Sequence, residues 1–260
     1  MTVSRTPLIV GNWKMNGSLA AVKQWMEAFS ALWAKRACPV EAGLCVPGLY
    51  LKPLVDAAAL HQAPGFHAGA EDVSAQPKSG PFTGETSAVM LKDAGAYWCI
   101  IGHSERRTFY GETDSDVAAK AKALAEEGLH PIVCVGETLS ERSAGKTDEV
   151  VLRQVKAVID AAGIDAIAQG AFAYEPLWAI GTGVAASMDQ IEPVHRAIRE
   201  ALCAADPVIG QKVRILYGGS VKETNAADII SLPDVDGALV GGASLDAGSF
   251  YRICAAVRAD

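Results

Sequence analysis

Short apolar runs alternate with longer amphipathic stretches along the whole chain. The runs begin at Leu8 (LIVGN), Val40 (VEAGLCV), Phe66 (FHAGA), Tyr97 (YWCIIG), Pro131 (PIVCVG), Ala171 (AFAYE), Val213 (VRILYG) and Gly237 (GALVG). They are rich in Val, Ile, Leu, Tyr and Cys, as strands covered on both faces are. Helical patterns fill the gaps. In Ser18 to Ala37, the residues Leu19, Val22, Met26, Phe29 and Trp33 recur at spacings of three and four and form one apolar stripe. Thr113-x-x-Asp116 and Ser187-x-x-Gln190 have capping-box spacing and predict two helix starts. Thr147 to Ala162 opens with acids, which suits the positive end of a helix dipole, and Asp246 to Arg258 reads as a last amphipathic helix.

Strand and helix thus alternate eight times, with no linker or composition break, which makes the chain an α/β protein. An open, doubly wound sheet is compatible with such a pattern. Eight units in 260 residues fit a closed, single-domain (β/α)8 barrel spanning 1–260 better. In a barrel of this kind the chemistry sits on the loops after the C-terminal strand ends, with phosphate sites after strands seven and eight.

Composition narrows the function. The chain is 50% hydrophobic and 20% charged, which excludes a disordered polymer. Its 23 Lys and Arg against 30 Asp and Glu give a net charge of −7, and no basic run is longer than a pair such as Arg106-Arg107. No nucleic-acid partner is expected. An anionic small molecule is still a possible ligand if local donors overcome the mean field. The six cysteines show no C-x-x-C pair, Met1 to Pro7 carries no apolar signal region, and no apolar run approaches a bilayer-spanning length. A cytoplasmic protein with reduced thiols and no membrane association is expected. The five histidines show no metal-ligand spacing, so no metal site is expected.

The residues just past the predicted strand ends form a chemically coherent set. Gly11-Asn12-Trp13-Lys14 follows strand one, Gly102-His103-Ser104-Glu105 strand four, Glu175-Pro176 strand six, Gly218-Gly219-Ser220 strand seven and Gly241-Gly242 strand eight. A carboxylate, an imidazole, an ammonium and two Gly-rich turns would converge on one barrel face. Pro176 biases Glu175 to an extended backbone, and Ser104 to Arg107 read as a helical turn beginning behind His103. The Gly pairs would let backbone N–H groups approach an anion, and a short helix after Gly242 would point its N-terminus at it. Pro176 to Ala185 (PLWAIGTGVA) reads as a lid with an exposed Trp and Ile. Gly181-x-Gly183-x-x-Ala186 matches a dinucleotide fingerprint, but five residues separate it from its strand; Gly145-Lys146-Thr147 lacks the first glycine of a P-loop.

The segments GNWKMN (11–16), IGHSERR (101–107), AYEPLWAIGTG (173–183), YGGSV (217–221) and DGALVGGASL (236–245) resemble the triosephosphate isomerase family, in order and over essentially the whole chain. The resemblance implies a TIM barrel that interconverts dihydroxyacetone phosphate and D-glyceraldehyde 3-phosphate without a cofactor. It implies Glu175 as the base that moves a proton between adjacent carbons through an enediol(ate). His103 is then the group serving the substrate oxygens and Lys14 the fixed cation held by Glu105, with Asn12 a further donor. Gly181, Ser220, Gly241 and Gly242 become the phosphate set, and Cys134 a buried core thiol. The resemblance also implies a homodimer through the loop 72–85, with Thr83 reaching Lys14 and His103 of the partner. Three positions depart from the common pattern: Glu71 stands where Gln is usual, Val184 where Lys is frequent and Leu177 where Val is usual. Two other readings share these residues, an isomerase of a longer sugar phosphate and a catalytically silent phosphate-binding or scaffold protein.

Overall fold

A computed structural model of the chain describes residues 5–180 and 186–257. Eight parallel strands follow one another around a closed ring: β1 (Leu8–Asn12), β2 (Glu41–Val46), β3 (Phe66–Ala70), β4 (Trp98–Ile101), β5 (His130–Val135), β6 (Ala171–Tyr174), β7 (Arg214–Tyr217) and β8 (Gly237–Val240). Leu8 of β1 is in register with Glu41 of β2 on one side and with Gly237 of β8 on the other. The ring has no edge strand, so the open-sheet alternative is excluded and the (β/α)8 barrel stands.

Helices wrap the ring: α1 (Leu19–Lys35), α2 (Gly48–His61), α3 (Ala88–Asp93), α4 (Ser104–Tyr110), α5 (Asp114–Glu126), α6 (Leu139–Ser143), α7 (Thr147–Ala162), α8 (Met188–Ala205), α9 (Pro207–Gly210), α10 (Ala226–Ile230) and α11 (Ala247–Ala256). The start signals act as their chemistry requires. The Ser18 hydroxyl accepts the Ala21 N–H at 3.0 Å. Thr113 and Asp116 cap each other reciprocally at the start of α5, and the Gln190 side chain accepts the Ser187 N–H at 2.9 Å.

Strand side chains alternate between two apolar cores. Leu8, Val10, Cys45, Trp98, Ile100, Ile132, Cys134, Ala171, Ala173, Leu216 and Leu239 fill the barrel. The intervening residues pack outward on the helices. There α1 buries Val22, Met26, Phe29 and Trp33 of the expected stripe but leaves Leu19 exposed and adds Trp25, which stacks on Phe29 with centroids 4.9 Å apart; Phe29 lies 5.3 Å from Phe66 and 5.8 Å from Phe250. Each such ring contributes roughly 1.5–3 kcal/mol by leaving water.

The N-terminal end of the barrel is held by a buried ion network. Asp236 accepts from Arg5 at 2.5 Å, from Arg199 at 2.5 Å and from the Ile215 N–H at 2.8 Å. Arg199 also donates to the carbonyls of Gly210 and Val213. Among the described residues no helix is long and apolar enough to cross a membrane.

Candidate active site

Strand parity aims the polar residues at the opposite end. Asn12 lies two residues past inward-facing Val10, Glu175 two past Ala173, and Gly218 two past Leu216. All three therefore top the barrel interior rather than its helix-facing side. Asn12, Lys14, His103, Glu175, Ser220, Gly241 and Gly242 line one cavity of about 280 Å³, together with Ile180, Val221, Lys222, Leu239 and Ala243.

Glu175 is 2% exposed and His103 5%. The carboxylate is gripped at both oxygens: Oε1 lies 2.9 Å from His103 Nε2, and Oε2 accepts the Ser104 N–H at 2.9 Å. Room for it comes from Gly218, where a Cβ would stand 2.8 Å from Glu175 Cγ. Burial pushes the carboxyl upward, but His103, the Ser104 amide and Lys14 outweigh it and hold Glu175 below its ordinary value.

His103 is the N-cap of α4, and its Nδ1 accepts the Glu105 N–H at 3.2 Å. That bond leaves Nε2 as the donating nitrogen, facing Glu175 and the cavity. Burial lowers the affinity of the ring for a second proton, while Glu175 and Glu105 raise it, and the net displacement is upward. The upward push therefore depends on the carboxylate resting against the ring.

Lys14 adopts φ +55°, a left-handed backbone that a side chain with a Cβ resists. Its N–H donates to Asn12 Oδ1 at 3.0 Å, and its ammonium donates to Glu105 Oε1 at 2.5 Å. The strained turn thus directs the cation into the cavity, which is where backbone strain concentrates in proteins. Beside it sits Glu71, whose Oε1 is buried without a hydrogen-bond partner. Burial pushes its carboxyl up to about 8, with the Lys14 N–H lowering it and Glu105 raising it.

Of the residues singled out in the sequence, Gly181 lies outside the described residues, as do Val184 and the rest of the lid from 181 to 185. Thr83 is on an exposed loop, away from the cavity of its own chain. The expected exposed tryptophan differs: Trp178 is half-buried, its Nε1 donating to Glu137 Oε1 at 3.0 Å and its ring under the Arg142 guanidinium at 4.7 Å. Tyr174 and Arg142 donate to the same fully buried Glu137. The stiff Pro-Leu-Trp segment is therefore anchored, and a short 3-10 turn spans Leu177–Ala179. The turn behind Gly241 is likewise a single 3-10 segment, Gly242–Leu245. Cys134 is a fully buried thiol, pushed well up by burial.

Sequence reasoning missed the Ser104 amide, which as a backbone group leaves no trace in residue type. It missed Lys222 as well, although its place two residues past Ser220 was a usable signal. Among the described residues no group of three or more His, Cys, Asp or Glu side chains is arranged to hold a metal ion.

The family model described as triosephosphate isomerase matches residues 7–257. A triosephosphate isomerase of Alcanivorax borkumensis is 48% identical over 255 residues, covering 98% of this chain and 99% of its own. Proteins of the same name from Hydrogenovibrio crunogenus and Psychromonas ingrahamii are 46% and 47% identical, covering 97% and 96% of this chain and 98% of each relative.

Proposed function

The chain belongs to the triosephosphate isomerase family, and from that premise we propose that Glu175, His103 and Lys14 carry its reaction. The enzyme interconverts dihydroxyacetone phosphate and D-glyceraldehyde 3-phosphate. The observation that carries the residue assignment is the meeting of one carboxylate, one Nε2–H donor and one ammonium in a single cavity backed by glycine turns.

In the proposed mechanism the substrate carbonyl takes the place of the Glu175 carboxylate on His103 Nε2. Glu175 then leaves the Ser104 amide as well. Each charge-assisted bond given up costs on the order of 1.5–3 kcal/mol, offset in part by new bonds from the substrate oxygens. Departure also removes two of the groups that depress the carboxyl pKa, while its desolvation persists. The freed carboxylate is more basic than the resting one. It removes the proton from the carbon beside the carbonyl, giving an enediol(ate), and returns it to the neighbouring carbon. His103 Nε2–H serves the two oxygens, and Lys14 and Asn12 stabilise their negative charge. Backbone N–H groups at Ser220, Gly241, Gly242 and Gly181 hold the phosphate.

We assign a homodimer to the loop 72–85. Support comes from Phe82, 39% exposed on the loop, and Met15, 95% exposed beside the cavity, which leave apolar surface in water. Light scattering is expected to give a dimer mass, and a fully active monomer would end this assignment. The six free cysteines support a reducing, cytoplasmic setting. The test of the base is the variant Glu175→Gln in a coupled assay. Turnover is expected to fall by at least about 10²–10⁴, and undiminished turnover would remove Glu175 from the mechanism.

A further inference from the structure

Two lysines line the cavity, and the mechanism uses only one. Lys14 is spoken for, since its ammonium lies 2.5 Å from Glu105. Lys222 forms no ion pair among the described residues. Its loop is held in place from both sides. The Lys222 N–H donates to Asn225 Oδ1 at 2.7 Å, and Asn225 Nδ2 donates back to the Ser220 carbonyl at 3.0 Å. The neighbouring acid, Glu223, is turned onto Arg252 of α11 by two bonds of 2.6 and 2.9 Å. That clamp keeps a carboxylate off the cavity rim and leaves the rim cationic.

The charge balance gives this rim a task. The protein carries −7 and the cavity holds the Glu175 carboxylate, while Lys14 is balanced by Glu105. An incoming phosphate monoester brings about −1.5 to −2 at pH 7. Its approach is opposed by the mean field unless a local cation reverses it. We infer that Lys222 is a phosphate-capture residue: an unpaired rim cation, preset by Asn225 and by the Glu223–Arg252 clamp, that draws the substrate dianion to the Ser220 and Gly241-Gly242 turns.

This inference rests on the proposed phosphate role of those turns. A rim charge acts on association and on salt dependence more than on chemistry. One unit charge at a separation of about 10 Å from a dianion in water is worth roughly a fourfold change in an equilibrium constant. Initial rates with triose phosphate are measured for the parent, K222M, K222E and K222R at about 20 mM and about 500 mM ionic strength, spanning strong to weak screening. At low salt kcat/KM is expected to fall roughly three- to fivefold in K222M and tenfold or more in K222E. The loss should lie in KM and nearly vanish at high salt, and K222R should restore the parent value. Titration of inorganic phosphate by calorimetry should rank the four proteins in the same order.

A K222E protein matching the parent at low salt, a loss carried by kcat, or a loss indifferent to salt would each overturn the inference. A parent without isomerase turnover would instead sink the reading of the reaction, and the phosphate titration would still decide Lys222.

Discussion

Replacing Glu71 by Gln should stabilise the protein, and the gain should depend on pH in a defined window. The Glu71 carboxyl has one oxygen buried and unpartnered, and burial raises its pKa from 4.5 to about 8, with Glu105 adding to the rise. In the unfolded chain it ionises near the ordinary value. Between the two values the folded state therefore binds the extra proton, and stability declines as pH rises. Below about pH 4.5 both states are protonated and the residue costs nothing through ionisation. Above that point the loss accumulates at about 1.4 kcal/mol per pH unit and levels off once pH passes the folded value. At pH 7 it is on the order of 3 kcal/mol as an upper figure, since the site is not wholly dry.

A Gln amide has no charge to desolvate. For a chain of this size the gain corresponds to roughly 5–10 °C in Tm at neutral pH. Thermal unfolding followed by circular dichroism at half-unit steps from pH 4.5 to 8.5 reads it, with urea midpoints as a second measure. The Tm difference between E71Q and the parent should open steadily from pH 5 and flatten near pH 8. Two parallel curves across that range would refute the reasoning, because a merely local packing effect would be independent of pH.

Three further outcomes follow from other contacts. Lys14→Met removes the ammonium paired with Glu105 in the cavity, and steady-state kinetics should show kcat/KM down by about 10²–10³; a loss under tenfold would take Lys14 out of charge stabilisation. Gly218→Ala puts a methyl 2.8 Å from Glu175 Cγ. Turnover should fall at least about tenfold from this displacement of the proposed base, and an Ala variant with parental kcat would show that the carboxylate does not need this space. Asp236→Asn strips the nearer of two charge partners from buried Arg199 at the far end of the barrel, leaving Asp234 at 3.6 Å. Urea unfolding should report a loss of about 3–5 kcal/mol with kcat unchanged, and a marginal loss would mean that Asp234 and the carbonyls of Gly210 and Val213 suffice for Arg199.

The strands were legible because a strand buried on both faces has no choice but to be apolar throughout. Their starts were less so. Glu41, Trp98, His130 and Arg214 open β2, β4, β5 and β7, one residue from where the apolar runs begin at Val40, Tyr97, Pro131 and Val213. Three of these openers are polar: at the barrel rim a charged or imidazole side chain can reach water while its backbone still pairs. The helix α2 gave no periodic signal, since only Leu51 and Leu54 are buried and Pro53 interrupts its first turns. The α6 capping box, Thr138 with Glu141, carries the same spacing as the two that were recognised and was findable.

At the site, residue types pointed to Asn12, Lys14, His103 and Glu175, because polar groups after apolar strands are conspicuous. Residue types could not reveal the left-handed turn at Lys14 or which His103 nitrogen faces the cavity, since both depend on local backbone conformation and hydrogen bonding. Trp178 read as exposed because its buried acceptor, Glu137, lies 41 positions away in sequence.

The two-residue beat of the strands has a consequence for how this enzyme can change over time. Asn12 and Glu175 each stand one full pleat beyond an interior side chain, Val10 and Ala173. Deleting a single residue within β6 would turn the carboxylate outward, toward the helices, even if every bond around the ring re-formed. Insertions between either of these positions and the next helix leave that phase untouched. The barrel thus behaves like a ratchet with fixed teeth: the connecting segments are free to lengthen, while lineages that gain or lose an odd residue inside a staff of the cylinder lose the reaction outright.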